Sequence, residues 1–138
     1  MARSATNSAG HPGGDETILL VEDEEDLREV VRESLQVFGF TLLEARHGGE
    51  AVLIAERHPG PIHLLVTDVI MPTMNGAELA RRLAPLRPEM DVLYVSGYTD
   101  EAIVHHGVLE PGTAFLQKPF SPEQIVRKVR EVLDARRR

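Results

Sequence analysis

The 138-residue chain has no cysteine and no tryptophan. Without cysteine it can form neither a disulfide bond nor a thiolate metal site, and this composition suits a reducing compartment. Aromatic residues are scarce, with four Phe and two Tyr. Leu, Val, Ile and Ala must therefore supply the core, and the length is that of one domain.

The sequence also lacks long apolar runs and an excess of basic residues. No stretch is long enough to cross a membrane, and residues 1–16 contain no apolar run of the kind found in signal peptides. We therefore predict a cytoplasmic protein without membrane contact. Lys and Arg number 15 against 22 Asp and Glu, for a formal net charge of −7. This balance argues against nucleic acid as a partner.

Composition divides the chain into three segments. Residues 1–16 are rich in Ser, Ala, Gly and Asn without periodicity, which predicts a disordered leader or linker remnant. Residues 17–135 carry the hydrophobic patterns of a folded domain, and residues 136–138 form a basic tail. Because neither flank can form an output domain, we expect the folded part either to act alone or to be one module of a longer protein.

Short apolar strands followed by amphipathic helices recur five times in residues 17–135. The predicted strands are 17–22, 40–45, 62–68, 90–95 and 113–117. The predicted helices are 27–38, 49–58, 77–86, one that begins at Thr99 and one that follows a capping box at Ser121. Strands joined by helical crossovers lie parallel, and their helices cover both faces of the sheet. The pattern thus predicts a doubly wound α/β sandwich.

The stretch from Ile62 to Gly76 is central to this pattern. Its apolar run is typical of a strand buried on both faces, and Asp68 stands at the carboxyl end of that strand. Ligands of open α/β sheets bind at this edge, so a carboxylate here is placed for chemistry. For Asp68 alone, the simpler interpretation is a residue that begins a turn.

Polar residues at the ends of other strands converge on the same edge. They are Glu22 and Asp23 after the first strand, Asp68 after the third, Ser96 after the fourth and Lys118 after the fifth. Two carboxylates about 5 Å apart repel by roughly 3 kcal/mol at an effective dielectric constant of 20, so a cation must offset them. Carboxylates suit Mg²⁺, and a lysine suits a phosphate oxygen. The Ser96 hydroxyl and free backbone N–H groups after Asp68 and after Ser96, the latter at Gly97, would add donors for phosphoryl transfer.

Four segments resemble the response-regulator receiver domains of two-component signalling. They are VEDEE, TDVIMPTMNG, SGY and QKPF, which occur in this order at successive strand ends within residues 17–134. The resemblance implies a flavodoxin-like (βα)5 fold with a five-stranded parallel sheet of order 2-1-3-4-5. Residues 96–125 are most similar to receivers at the C-terminal end of hybrid sensor histidine kinases.

The resemblance implies a metal-assisted phosphoacceptor site. Asp68 would be the phosphoacceptor and a ligand of Mg²⁺, or of Mn²⁺ in its place. Asp23 would be a direct ligand, Glu22 would act on the metal mainly through water, and the backbone carbonyl of Ile70 would complete the protein ligands. The implied chemistry is self-phosphorylation and autodephosphorylation at Asp68 without a separate substrate, whereas a parent hybrid histidine kinase would itself be a kinase.

The same resemblance implies a set of switch residues that change conformation when Asp68 is phosphorylated. The Ser96 hydroxyl would bond to this group, and Lys118 would form its salt bridge. Phe115 would swing inward as Ser96 moves, and the peptide bond after Lys118 would be cis. We further hypothesise that Ile70 and Tyr98, each two residues beyond Asp68 or Ser96, screen the acyl phosphate from water and slow its hydrolysis.

The implied partners are proteins. A sensor histidine kinase or a histidine phosphotransfer protein would donate the phosphoryl group, and an unidentified downstream protein would receive the signal. Val104, Val108 and Leu109 could serve a homodimer, although core packing explains them equally well. A receiver-like module that binds proteins without being phosphorylated stays open as an alternative.

Other classes with this topology or chemistry fit less well. A flavodoxin-type FMN carrier needs phosphate donors after the first strand, where VEDEED would repel anions. A haloacid-dehalogenase-like phosphatase needs a second acid two residues after its nucleophile, where this chain has Ile70. The adjacent His105 and His106 would face different ways on a helix, which predicts exposed side chains rather than a metal site.

Overall fold

The computed structural model describes residues 13–97, 109 and 112–136. Its strands are β1 (Thr17–Val21), β2 (Thr41–Ala45), β3 (Leu64–Asp68), β4 (Asp91–Ser96) and β5 (Phe115–Gln117). The helices in this part of the chain are α1 (Glu25–Val37), α2 (Gly48–Arg57), α3 (Gly76–Leu83) and α4 (Pro122–Arg136). Several predicted features lie outside the described residues, namely the leader up to residue 12, the end of the basic tail, the helix from Thr99, Tyr98, Val104, His105, His106 and Val108.

The five strands form one parallel sheet in the order β2-β1-β3-β4-β5. This order confirms the flavodoxin-like doubly wound fold. Along the chain, the strands are added outward in both directions from β1 and β3. Every strand therefore ends at the same edge of the sheet. Within the described ranges, no helix combines the length and the hydrophobicity needed to cross a membrane.

Side chains alternate along the inner strands between two core layers. The layer between the sheet and helices α1 and α4 includes the fully buried Ile18, Leu35, Leu64 and Val129. The layer between the sheet and helices α2 and α3 includes the fully buried Leu19, Ala51, Leu65 and Leu79. All five residues of β3 are buried, as expected for a central strand covered on both faces.

Local sequence signals set several helix ends. The chain leaves α1 through Gly39, whose φ of 101° lies in the left-handed region that glycine tolerates. At the start of α3, Asn75 Oδ1 accepts the Glu78 N–H at 2.8 Å. The predicted capping box of α4 is present, since Gln124 N–H donates to Ser121 Oγ at 3.1 Å and Ser121 N–H donates to Gln124 Oε1 at 2.7 Å.

Several predicted boundaries are wrong. Strand β3, predicted from residue 62, begins at Leu64. Helix α3 ends at Leu83 and not at residue 86. The cause is Pro85, which has no N–H to continue the helical hydrogen bonds, so the break precedes Pro88. Strand β5 begins at Phe115 rather than at residue 113, and its three residues pair only with the end of β4.

Residues 13–16 are ordered, where the sequence predicts a disordered leader. Arg130 of α4 donates to the Gly13 carbonyl at 3.1 Å and pairs with both carboxylate oxygens of Glu16, at 3.1 and 2.7 Å. The Gly14 N–H donates to the Phe38 carbonyl at 3.1 Å. Glu16 is buried, at 6% exposed. The folded unit therefore includes residues 13–16, because a long-range ion pair fixes a segment whose composition resembles a linker.

Candidate functional site

Three carboxylates meet at the carboxyl edge of the sheet. Glu22 and Asp23 follow β1, and Asp68 is the last residue of the adjacent strand β3. One carboxylate oxygen of each residue lies within 4.8 Å of the other two. Glu22 and Asp68 are buried, at 3% and 4% exposed, whereas Asp23 is exposed. Neighbouring parallel strands thus place acids from two separate sequence segments in one acidic cluster.

Lys118 reaches this acidic cluster from the loop after β5. Its Nζ lies 2.7 Å from Asp68 Oδ1 and 3.2 Å from Glu22 Oε1. The ammonium donates a hydrogen bond to Glu22. Its approach to Asp68 is an ion-pair contact outside hydrogen-bonding angles, so Asp68 Oδ1 is buried without a hydrogen bond among the described residues. The peptide bond between Lys118 and Pro119 is cis, as the resemblance implies.

Burial and neighbouring charges shift the pKa values of Glu22 and Lys118. The pKa of Glu22 is raised from 4.5 to about 8. Burial is the largest cause, followed by the hydrogen-bonding interaction with Asp68 and the negative charge of Asp68. The Glu24 N–H and the Lys118 ammonium oppose this rise. Burial alone would lower the pKa of Lys118, but the Asp68 and Glu22 carboxylates outweigh burial and raise it. The metal-free cluster therefore favours a bound proton near neutral pH, which a divalent cation would displace.

The backbone around Asp68 is held closely from both sides. Thr67 Oγ1 donates to the Asp68 carbonyl at 3.1 Å, and the Gly76 N–H donates to the Val69 carbonyl at 2.8 Å. A Cβ atom at position 76 would lie 2.2 Å from the Asp68 carbonyl oxygen. Only glycine permits this approach, so the loop after β3 folds back tightly against the residue that ends the strand.

Of the backbone N–H groups that follow Asp68, the first is bonded within the described part of the chain and the second is not. The Val69 N–H, directly after Asp68, donates to the Val95 carbonyl at 3.0 Å and is not free. The hydrogen-bond ladder between β3 and β4 extends one residue past the strand, which hydrophobic patterning does not reveal. The next N–H, at Ile70, makes no hydrogen bond with the described residues, and neither does the predicted donor at Gly97.

Ser96 and Phe115 lie on the strands beyond β3. Ser96 ends β4, is 4% exposed and accepts the Lys118 N–H on its carbonyl at 2.8 Å. Phe115 begins β5 opposite Tyr94 and packs partly buried against the cluster that contains Tyr94 and Leu109. Leu109 is 8% exposed, so it is a core residue rather than an exposed contact for a homodimer.

Ile70, one of the two side chains predicted to screen the acceptor, is exposed. Ile70 lies two residues beyond Asp68 and is 54% exposed. Its side chain therefore faces solvent instead of packing in the core. Tyr98 lies outside the described residues.

The donor set fits a hard divalent cation. All three candidate ligands are carboxylates, and no sulfur or imidazole accompanies them in the acidic cluster formed by the described residues. Oxygen donors of this kind suit Mg²⁺ and Mn²⁺. The buried Asp68 Oδ1 lacks a hydrogen bond within the described ranges, and one lysine offsets only part of the negative charge. The residues present therefore match the metal that the resemblance implies.

Comparison with known proteins identifies the family. The model of the response regulator receiver domain matches residues 18–130, which is most of the chain. The chain belongs to the response regulator receiver domain family. This receiver domain is 39% identical over 121 residues to the sensor kinase CckA of Brucella abortus (strain 2308), and the match covers 88% of this chain and 13% of the kinase. It is 30% identical over 118 residues to the response regulator receiver protein CpdR of the same organism, with 86% and 97% covered.

Solved structures agree with the fold of this receiver domain. The receiver domain from the hybrid histidine kinase CckA superimposes with a TM-score of 0.72 at 36% identity, covering 85% of this chain and 98% of that chain. The chemotaxis protein CheY4 of Vibrio cholerae gives a TM-score of 0.75 at 26% identity, with 86% and 99% covered. The receiver domain thus spans a small part of one relative, the sensor kinase CckA, and nearly all of another, CpdR.

Proposed function

We propose that this receiver domain accepts a phosphoryl group on Asp68 and passes a signal on within a two-component pathway. The supporting observation is the environment of the Asp68 carboxylate. It is buried at the sheet edge, its Oδ1 has no hydrogen bond among the described residues, and Lys118 Nζ lies 2.7 Å away. A residue that only began a turn would direct its oxygen at a backbone N–H, whereas this oxygen faces a cation.

The proposed step is an in-line transfer from a phosphohistidine. An oxygen of Asp68 attacks the phosphorus, the P–N bond breaks, and its electron pair stays on the imidazole nitrogen of the donor. The product is an acyl phosphate on Asp68. Lys118 neutralises part of the charge on the phosphoryl oxygens. When held by Glu22, Asp23, Asp68 and the Ile70 carbonyl, Mg²⁺ or Mn²⁺ would supply further positive charge there.

We propose that residues at the carboxyl ends of β3, β4 and β5 detect the phosphoryl group by binding to it and changing position. The Ser96 hydroxyl and the N–H groups of Ile70 and Gly97 would donate to its oxygens. Because the Ser96 carbonyl accepts the Lys118 N–H, a shift of Ser96 toward the phosphoryl group would also displace the backbone at the end of β5. Repacking of Phe115, which begins that strand, would carry the change to the surface.

We also propose that Ile70, together with Tyr98, limits access of water to the acyl phosphate. The exposure of the Ile70 side chain, two residues beyond Asp68 in the chain, supports this role. Ile70→Ser should shorten the half-life of the phosphorylated protein several-fold. Leu53→Ser is the matched control, because Leu53 is an exposed apolar residue on α2. Equal half-lives for Ile70→Ser and the wild type would contradict the proposal.

The proposed partners are a sensor histidine kinase or a histidine phosphotransfer protein, and a downstream protein reached by direct contact. Similarity to the sensor kinase CckA and to the receiver domain from the hybrid histidine kinase CckA supports a place as one module of a hybrid kinase. The coverage of CpdR supports a stand-alone regulator equally well. A cytoplasmic location fits the cysteine-free composition, and a homodimer stays a prediction.

The deciding experiment measures the intact mass of the protein after incubation with acetyl phosphate and Mg²⁺. We expect the wild type to gain one phosphoryl group, and Asp68→Asn and a magnesium-free sample to gain none. Asp134→Asn is the matched control, since Asp134 lies on α4 and pairs with Arg130. No gain by the wild type, combined with no binding of beryllofluoride, would favour a receiver-like module that only binds proteins.

A further inference from the structure

Arg28 turns back from the first turn of α1 to the loop that carries two of the acids. Its Nη1 donates to the backbone carbonyl of Glu22 at 2.7 Å. Its Nε lies 3.4 Å from Glu44 Oε1 on β2, and the side chain is only 13% exposed. The guanidinium thus links α1, the β1–α1 loop and β2, while its contact with Glu22 is to the backbone and not to the carboxylate.

The Glu22 residue held in this way is fixed at several other atoms. Its N–H donates to the Ala45 carbonyl at 3.1 Å. Its Oε2 accepts the Glu24 N–H at 3.1 Å, and its Oε1 accepts from Lys118 at 3.2 Å. Arg28 satisfies the remaining backbone group of Glu22. Since this carbonyl begins the peptide unit that leads to Asp23, the contact also sets the direction in which Asp23 leaves the strand.

We propose that Arg28 is a positioning residue for the acidic cluster, and that it sets the affinity for the divalent cation by holding Glu22 and Asp23 in place. This inference rests on the metal site of the proposed function. Groups that orient metal ligands from outside the first shell typically change metal affinity by roughly 10- to 100-fold when they are removed. Arg28 has the required contact and touches none of the three carboxylates of the acidic cluster in the described structure.

The direction of the change in Mg²⁺ affinity distinguishes positioning by Arg28 from a purely electrostatic effect of its charge. A guanidinium near a cation site repels the cation, so removal of its charge alone would strengthen binding of Mg²⁺. Loss of positioning would weaken binding. Arg28→Met must therefore weaken binding if the proposal is right, even though it removes a repulsive charge.

Arg32 supplies a matched control on the same helix. Its partners are the carboxylates of Glu29, Glu33 and Glu44, at 3.8, 3.5 and 3.4 Å. Arg32→Met therefore removes the same charge one turn further along α1 and one of the two arginine partners of Glu44, but it leaves the carbonyl of Glu22 bonded to Arg28. We expect Mg²⁺ binding by Arg32→Met to be unchanged or slightly tighter.

The test measures Mg²⁺ binding by isothermal titration calorimetry. We expect Arg28→Met to bind roughly tenfold more weakly than the wild type and Arg28→Lys to recover part of the loss, because an ammonium can still donate to a carbonyl. Equal or tighter binding by Arg28→Met would overturn the proposal. Equal weakening in Arg32→Met would also overturn it, since that variant keeps the contact with Glu22.

A metal-free readout separates this inference from the proposed function. In EDTA, hydrogen exchange of the Glu24 N–H, which donates to Glu22 Oε2, should be faster in Arg28→Met and unchanged in Arg32→Met. The N–H of Leu35 in the core serves as the reference for global unfolding. If the wild type binds no Mg²⁺, the proposed function fails while exchange still decides the role of Arg28. If Arg28→Met does not fold, Arg28→Gln replaces it, because the glutamine amide nitrogen ends two bonds short of the Nη1 that donates to Glu22. Wild-type exchange and affinity in Arg28→Gln would overturn the proposal.

Discussion

Lys118 Nζ lies 2.7 Å from Asp68 Oδ1 and 3.2 Å from Glu22 Oε1, so one ammonium from the loop after β5 contacts carboxylates at the ends of β3 and β1. Its side chain is 23% exposed. The same residue donates its backbone N–H to Ser96 at the end of β4. Lys118 is therefore the point at which four strand ends are connected.

Lys118→Met should separate phosphoryl transfer from metal binding. Loss of the ammonium removes positive charge that the transferred group needs, so phosphorylation by acetyl phosphate should fall at least about tenfold, roughly 1.4 kcal/mol of the barrier. The same loss removes a cation that competes for the carboxylates, so Mg²⁺ should bind more tightly. Intact mass over time and calorimetry measure the two effects. Lys128→Met, at an exposed ion pair on α4, should change neither, and wild-type phosphorylation of Lys118→Met would contradict the prediction.

The stability of the metal-free protein should fall as the pH rises toward 8. The pKa of Glu22 is raised from 4.5 to about 8 in the folded state. Between these values the folded protein therefore holds a proton that the unfolded chain has released. Since the folded state binds more protons, the free energy of unfolding decreases with rising pH in this window and is highest, for this group, below about 4.5.

Urea unfolding in EDTA from pH 5.5 to 8.5 measures this slope. Glu22→Gln, which cannot ionise, should show a flatter dependence, and the difference between the two proteins removes the contribution of the six histidines. Mg²⁺ should stabilise the wild type more at pH 8 than at pH 5.5, because it replaces the proton. Identical slopes for the wild type and Glu22→Gln would show that Glu22 does not titrate in this window.

The sequence predicts the parallel sheet and the candidate site through features that are local in the chain, whereas the order of the strands is implied only by the resemblance to receiver domains. Apolar runs define the strands, and each run delivers its polar residue to the same edge because parallel crossovers leave little choice. Thus Asp68, Glu22 and Lys118 could be assigned to one place before any distance was known. The capping box at Ser121 could be predicted for the same reason, because its two residues, Ser121 and Gln124, are only three positions apart in the chain.

Contacts between distant elements could not be predicted in the same way. The bond from Arg28 to the Glu22 carbonyl and the ion pair between Arg130 and Glu16 depend on the rotamers and offsets of separate elements. The hydrogen bond of Val69 to β4 likewise depends on where the ladder stops. A pattern of residue types fixes the face that a side chain occupies, but not the atom it meets there.

The buried ion pair between Arg130 and Glu16 should contribute strongly to stability. The side chains are 16% and 7% exposed, and the shortest N–O distance is 2.7 Å. Arg130→Met would leave the Glu16 carboxylate buried without this partner, which typically costs about 3 kcal/mol or more. Lys128→Met is the control on the same helix, because its ion pair with Glu131 is exposed and should be worth less than about 1 kcal/mol. Urea unfolding midpoints that fall equally in both variants would contradict the prediction.

Gly76→Ala tests how closely the loop after β3 must approach Asp68. Helix propensity alone favours alanine over glycine by up to about 1 kcal/mol within α3, whereas the new Cβ would lie 2.2 Å from the Asp68 carbonyl oxygen. Because that oxygen belongs to the backbone, neither side can give way without moving the end of β3. We expect destabilisation of roughly 1–3 kcal/mol by urea unfolding and slower phosphorylation of Asp68. Gly60→Ala is the control, since its Cβ would meet only the His58 side chain at 3.5 Å. A Gly76→Ala protein as stable as Gly60→Ala would mean that the loop can move away from Asp68 freely.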